Sequence, residues 1–409
     1  MWCLNVNIIN MHYTNRVILW GADDFNMLGL LRELGSEGFD LFFIIKGKAG
    51  CAAKSKYCTN YIEINNIQDG FNYLMTLDVV EDSKPILITS GDGISVFIDQ
   101  HKVELEKKFV IPGTSQQGIL EKYTDKYDMA CLASEIGMTV PWSKFIKWDS
   151  DITDITYPCI IKPSHQIPGH YNEFKYKICK NERSLRRTLK YVRHESVFIV
   201  QQLVPKERDL LVYGARLRDG NTVFAGYMIR DRMADSGSFS HGVLTNTPPP
   251  QFKSDKVDQM RNFLEKIDYY GLFSFEYGLT AEDAYFFEVN LRNDGTSHYF
   301  FQAGANIPAA WVISCMGGDY SAVSTSVGED RWFVDELFDV ENVFHCRLSY
   351  KQYKQDKREA TVFKYFDAED VEPFYYLKKR RVKQLLQDII LKRFRLYIIF
   401  VLDKLGLRK

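Results

Sequence analysis

The chain has 409 residues, 45% of them hydrophobic and 26% charged, with 52 basic against 53 acidic side chains. That make-up excludes a disordered chain, a collagen-like repeat and a small disulfide scaffold, and the length predicts about two to four domains. The charge is unevenly spread: residues 378–409 carry eleven Lys or Arg against two Asp, a local +9 that leaves −10 for the rest of the chain.

Residues 1–15 show no period and read as a loose arm; they lack the basic-then-apolar order of a secretory signal. Arg16–Trp20 (RVILW) is a buried-strand run that breaks at Gly21 and gives way to a helical pattern through Met27, Leu28, Leu31 and Leu34. Further strands are predicted at Leu41–Ile45, Tyr61–Ile64 and Pro85–Thr89, and a helix over Ser95–Lys108. Strands alternating with helices predict a parallel α/β domain over residues 16–121. Its first turn, GADDFNMLG, has no GxGxxG, and Asp23 and Asp24 stand where a pyrophosphate would need N–H groups, which argues against a dinucleotide site.

Lys122–Ile136 has helical spacing and ends at Gly137. Strands follow at Tyr157–Lys162, Tyr176–Cys179 and Val197–Gln202, with a basic helix near Glu182–Val192. Residues 209–230 read as two strands around the turn Arg218–Asn221. The polar, Gly- and Ser-rich stretch Ala234–Pro250 reads as a mobile loop, and Asp255–Ile267 as a helix. Eight cysteines make no CxxC pair, so buried free thiols in a reducing cytosol are the plain reading.

The most informative stretch is Leu272–Arg292: LFSFEYGL, then TAEDA, then YFFEVNLR. Period-2 alternation puts Phe273, Phe275, Tyr277 and Leu279 on one face of the first strand, and Ser274, Glu276 and Gly278 on the other. On the second strand Phe287, Val289 and Leu291 are apolar, and Glu288, Asn290 and Arg292 line the opposite face. A turn symmetric about Glu282 sets Glu276 directly across from Glu288. Two carboxylates so placed repel. A divalent cation removes the conflict, and Mg²⁺ suits a site of a few carboxylate or amide oxygens completed by water and phosphate. Glu276, Glu288 and Asn290 are the candidate ligands; a hairpin with one solvated polar face is the alternative.

FEYGL followed by FEVNLR resembles the metal-binding hairpin of the ATP-grasp superfamily. Other stations stand in the family's order: Lys126 and Lys162 match its two nucleotide lysines, and VFIVQQLVP matches the strand beside adenine. The resemblance implies that Gln201, Gln202 and Val204 meet the base, that Glu207 or Asp209 meets the ribose, that Arg292 acts on the transferring phosphoryl group or the tetrahedral intermediate, and that Arg230 approaches the γ-phosphate. A solvated cluster of Arg230 and Arg232 with Asp231 and Asp235 is the alternative for the last. LWGADDFNMLGLLRELG and ILITSGDGISVFIDQHKVELEKKF resemble the domain preceding this fold in the branch with D-aspartate ligase and carbamoyl-phosphate-synthase-like proteins. The implied fold is α/β (α+β in the core): a parallel α/β domain over 16–121, a two-lobed ATP-grasp domain over 122–316 with its small lobe near 155–205, an extension over 317–377 and a basic tail over 378–409. The phosphate loop after Lys162, PSHQIPGHYNEF, has a single glycine, and Arg292 is followed by NDGTSHY without the family's proline.

The implied activity is an ATP-dependent carboxylate–amine ligase with ATP and Mg²⁺ (or Mn²⁺) as cofactors. It joins a small carboxylate to an amine, an amino acid or a glycan or cell-wall precursor, through an acyl phosphate. Carboxyphosphate chemistry and a non-catalytic nucleotide-binding scaffold are the alternatives. Asn293, Asp294, Ser297 and His298 follow the catalytic strand as candidate acceptor contacts. In the tail, Leu385, Leu386, Ile389, Ile390 and Leu396 lie at helical spacing among Lys and Arg, which fits an anionic membrane surface or a helix docked on the acidic body. No recognised nucleic-acid module accompanies the charge. The expected location is cytoplasmic, peripheral at the inner membrane face if the tail binds lipid; a homo-oligomer is left open.

Overall fold

The computed structural model describes residues 16–164, 174, 176–234, 239–384 and 387, so the first fifteen residues, residues 165–173 of the expected phosphate loop and most of the basic tail lie outside it. Strands β1 (Val17–Gly21), β2 (Leu41–Lys46), β3 (Tyr61–Ile64) and β4 (Ile86–Thr89) form a parallel sheet ordered β3-β2-β1-β4. β1 is an unbroken apolar run because both its faces are covered. Ile18 and Trp20 pack with residues of the helices Ile67–Thr76 and Asp92–Gln100, whereas Val17 and Leu19 join the core that reaches the rest of the chain. The single helix expected over 95–108 is two, Asp92–Gln100 and Lys102–Leu105, parted at His101, whose ring stacks back on Phe97 at 4.1 Å.

Asp23 and Asp24 are both engaged by backbone. Asp24 caps the helix Phe25–Gly35 by accepting from the N–H groups of Asn26 and Met27, and Asp23 accepts from those of Gly50, Ala52 and Ala53. That helix is buried continuously from Asn26 to Leu34, as a helix enclosed on all sides must be. It is wedged between the parallel sheet and the helices Ser297–Gln302 and Ile307–Cys315. Gly29 permits the approach: a Cβ there would lie 2.9 Å from Cβ of His298.

A short strand β5 (Gly113–Thr114) leads to the helix expected at 122–136. It is broken into Ile119–Thr124 and Lys126–Glu135, because Asp125 turns extended and caps the second piece through the N–H groups of Tyr127 and Asp128. β6 (Ser143–Ile146), β7 (Cys159–Pro163), β8 (Lys177–Cys179) and β9 (Phe198–Gln202) form an antiparallel sheet ordered β6-β9-β7-β8. One face, with Ile146, Ile161, Phe198 and Val200, packs on the helix Glu182–Leu189. The other carries Phe145, Ile160, Ile178 and Lys162.

The largest sheet runs β14-β13-β10-β11-β12-β15-β16, with β5 joined to the start of β13. Its strands are β10 (Arg208–Arg216), β11 (Thr222–Met233), β12 (Phe239–Thr245), β13 (Tyr269–Leu279), β14 (Ala284–Asn290), β15 (Arg331–Val334) and β16 (Val362–Phe363). β12 corrects the reading of 234–250 as a loop: it lies inside this sheet between β11 and β15. Its Gly242 is needed because a Cβ there would sit 2.2 Å from the carbonyl oxygen of Ile229. Residues 331–363 therefore add two strands to the same sheet.

The C-terminal segment is also tied to the first domain. Arg32, 1% exposed, donates from Nε to Asp370 Oδ2 at 2.9 Å and from a terminal nitrogen to the Asp370 carbonyl at 2.8 Å. Ser55 and the N–H of Lys56 donate to the same carboxylate. Removing one partner of such a buried pair leaves a bare charge inside the protein, so Asp370→Ala is expected to cost about 3–5 kcal/mol of stability, read by urea denaturation. A loss below about 1 kcal/mol would mean that the clamp is not structural.

Candidate active site

The hairpin of β13 and β14 is in register with Ser274 opposite Asn290, Phe275 opposite Val289 and Glu276 opposite Glu288. Beyond Glu276 the register slips by one, so that Tyr277 faces Phe286. Phe287 is the extra residue of a bulge. The alternation expected for this strand is corrected there: Phe286, 1% exposed, enters the core against Phe275 and Tyr277, and Phe287 turns to the side of Gly278 and Lys206.

The two opposed carboxylates are held by different cations. Lys126, the first residue of its helix, donates to Glu288 at 2.6 Å, and Arg230 of β11 donates to Glu276 at 2.9 Å. Their acidities are thereby pushed apart. Burial raises the pKa of Glu276, with Arg230 opposing. Burial acts the same way on Glu288, but Lys126, Lys162 and Arg292 outweigh it and its pKa falls. The Arg230 guanidinium lies 3.4 Å from the ring centre of Phe239, and its buried Nε has no partner among the described residues. Lys126 is desolvated, yet its pKa is raised by Glu288, Glu276 and Asp92.

Lys162 projects from the open face of β7 toward the same cluster. Burial, with Lys126 and Lys206 nearby, lowers its pKa to about 8 against the pull of Glu288. On that face Ile160 stands opposite Ile178, which is 50% exposed: an apolar ledge with a cation at one end. Arg292 donates to Asp92, to the Asn293 carbonyl and to Asn290 Oδ1. Asn290 Nδ2 donates to Ser274 Oγ at 3.0 Å, which leaves its oxygen toward Arg292.

The residues expected to meet the base and the ribose are less uniform. Gln201 shares the face of Ile160, but its amide donates to Ser143. Gln202 accepts a long bond from the N–H of Trp142, and Val204 is buried. Glu207 is exposed, and Asp209 is paired with Lys206. The structure thus brings Lys126, Lys162, Arg230, Glu276, Glu288, Asn290 and Arg292 into one linked cluster.

Beside the cluster opens a cavity of about 310 Å³, lined by Asp24, Phe25, Ser90, Arg230, Glu276, Arg292, Asp294, Thr296 and Lys364 among others. Asp294 accepts from Ser274, Asn290 and Thr296. Lys364 is bound to Asp335 and lies 4.2 Å above the ring centre of Phe25. Gly295 lets that ring in: a Cβ there would be 1.9 Å from it. Of the other residues expected to meet an acceptor, Asn293, Ser297 and His298 are corrected. They are buried against the helix Phe25–Gly35, bound to Asn26, Glu33 and Arg32. Lys206, Asp92, Asp24 and Lys364 escaped the sequence reading; Lys206 alone had a signal, its place between Val204 and Glu207.

Among the described residues, no group of three or more His, Cys, Asp or Glu is placed to hold a metal ion. Two opposed carboxylates and an amide oxygen instead suit Mg²⁺, which keeps water and substrate phosphate as its remaining ligands.

Residues 132–307 match the family model of the ATP-grasp domain. D-aspartate ligase of Enterococcus faecium is 22% identical over 254 residues, covering 56% of this chain and 58% of that protein. The large chain of carbamoyl phosphate synthase of Myxococcus xanthus is 22% identical over 272 residues, 63% of this chain and 24% of that protein. The chain therefore spans less than two thirds of the length of these relatives. Among solved structures, the ADP complex of purK, an N5-carboxyaminoimidazole ribonucleotide synthetase, superposes with a TM-score of 0.63 at 14% identity over 82% of this chain and 85% of its own. The L-amino acid ligase of Bacillus licheniformis does so with a TM-score of 0.56 at 11% identity over 78% and 79%.

With a pKa near 8, Lys162 carries its charge at pH 7 and loses it by pH 9. Binding of inorganic tripolyphosphate without divalent cation, followed by calorimetry, is expected to weaken about tenfold between those pH values. Lys162→Arg, charged throughout, is expected to flatten the dependence; a slope unchanged in that variant would remove Lys162 from the phosphate site.

Proposed function

We propose that this chain, which carries an ATP-grasp domain, is an ATP-dependent ligase that joins a small carboxylate to an amine and releases ADP and phosphate. One observation carries the reading: two carboxylates placed face to face among Lys126, Lys162, Arg230 and Arg292, with Glu276, Arg230 and Arg292 lining a cavity of about 310 Å³. A fold that needed these residues only for stability would do better with one carboxylate than with two in opposition. The fold shared with purK and the relationship to D-aspartate ligase support the same class.

A free carboxylate is a poor acyl donor because its leaving group is oxide. In the proposed reaction its oxygen attacks the γ-phosphorus of ATP, ADP departs and an acyl phosphate forms. The amine then attacks the acyl carbon and expels phosphate. The protein's part is placement and neutralisation of charge. Lys126 and Lys162 hold the α- and β-phosphates, with the adenine on the ledge of Ile160 and Ile178 beside Gln201, Gln202 and Val204, and the ribose toward Glu207 or Asp209. Glu276, Glu288 and Asn290 would hold Mg²⁺, which would supply charge neutralisation at the phosphates. Arg230 and Arg292 bear the charge that builds on the transferring phosphoryl and on the tetrahedral centre. The cavity is lined by both signs, Asp24 and Asp294 with Arg292 and Lys364, which suits an amino acid as the amine.

The test is ADP release from Mg-ATP with a panel of D- and L-amino acids and small carboxylates, with Glu288→Gln as the blank. Substrate-dependent ADP that the blank lacks is the expected result, and Arg292→Ala is expected to reduce kcat by about 10²–10³-fold. AMP in place of ADP would refute the acyl phosphate. ADP release that depends on bicarbonate alone would favour carboxyphosphate chemistry, and nucleotide binding without turnover would favour a scaffold.

A further inference from the structure

The C-terminal segment ends its described part in a helix over residues 372–384. Its inner side is fixed to the body: Phe374 and Leu377 pack on the main core, and Arg381 is ion-paired with Glu341 of the short helix Val340–Phe344, its guanidinium 4.7 Å from the ring centre of Phe338. The other side is open. Lys379, Arg380 and Lys383 are exposed there, flanked by Tyr375 at 54% and Val382 at 49% exposure.

The helix Tyr350–Glu359 packs on that same short helix and repeats the pattern. It is turned inward by Asp356, which receives Arg232 of β11 at 2.8 Å, and it exposes Lys351, Lys354 and Arg358 together with Tyr350 at 58%. Phe344, at the end of the helix between them, is 64% exposed.

We propose that these two helices form a docking face for a bilayer rich in anionic phospholipid. The two readings of the basic tail are served by opposite sides of one helix, so docking on the body does not use up its charge. Exposed cations interleaved with Tyr, Phe and Val match a lipid interface, where the charges meet headgroups and the rings settle at the acyl boundary. The sequence continues the theme beyond the described residues, with Leu, Ile and Phe among Lys and Arg from Leu385 to Leu402. The rest of the chain carries −10, is repelled by such a surface, and so turns the basic end toward it. Among the described residues no helix is long and apolar enough to cross a membrane.

The test is sedimentation of the full chain with phosphatidylcholine vesicles that contain phosphatidylglycerol, and with phosphatidylcholine alone. Binding is expected only to the anionic vesicles and is expected to weaken with salt. Each basic residue near such a surface is worth about 1 kcal/mol, so Lys379→Glu/Arg380→Glu/Lys383→Glu is expected to weaken it by more than about 100-fold at unchanged melting temperature. Lys351→Glu/Lys354→Glu tests the second helix in the same way. Tyr375→Ala with Phe344→Ala is expected to weaken vesicle binding further at fixed charge. Absence of binding, or binding that both charge reversals leave intact, overturns the proposal. Tighter binding to duplex nucleic acid than to vesicles, indifferent to the Tyr375 and Phe344 changes, overturns it in favour of a nucleic-acid surface.

Discussion

Glu276 and Glu288 stand directly across a hydrogen-bonded strand pair, and much of the surrounding architecture answers the repulsion between them. Lys126 reaches Glu288 because Asp125 breaks the preceding helix and restarts it with the lysine at its first position. Arg230 reaches Glu276 from two strands away, across β10. The result is a split pair, Glu276 inclined to hold a proton and Glu288 inclined to release one. Perturbed acidities of this kind gather at functional sites, and they support the proposed one.

The cavity beside this pair exists because three parts of the chain are locked around one helix. Phe25–Gly35 hands its capped N-terminus, with Asp24 and Phe25, to the cavity, and gives its buried middle to Asn293, Ser297 and His298. Arg32 on that helix is clamped by Asp370, and Lys364, a few residues before Asp370, closes the cavity over Phe25. The segment after residue 317 thereby contributes a cation to the cavity as well as two strands to the sheet.

Much of this was legible in the sequence, for identifiable reasons. The buried parallel strands carry unbroken apolar runs. A turn symmetric about Glu282 predicts Glu276 opposite Glu288; the pairs beside the turn, such as Leu279 with Ala284, are centred elsewhere, and the bulge at Phe287 restores the expected pairing. The misses have physical causes too. The bulge at Phe287 leaves no trace in composition, since Phe286 and Phe287 are the same residue type. β12 was hidden because its place inside the sheet demands Gly242, and glycine with serine and histidine reads as loop. β15 and β16, with four and two residues, are too short to show a period. His298 looked like an acceptor contact from its position after the catalytic strand; only the packing of the helix Phe25–Gly35 puts it in the interior, where burial and Arg32 keep it neutral.

The central claim is that the opposed carboxylates exist to share a divalent cation with a nucleotide. Electron paramagnetic resonance of Mn²⁺ titrated into the protein with ADP measures this without knowledge of the other substrates. The account predicts a tightly bound fraction in the native chain that Glu276→Gln and Glu288→Gln each abolish, while both variants retain the native melting profile. Mn²⁺ bound equally well by the native chain and both variants would contradict it.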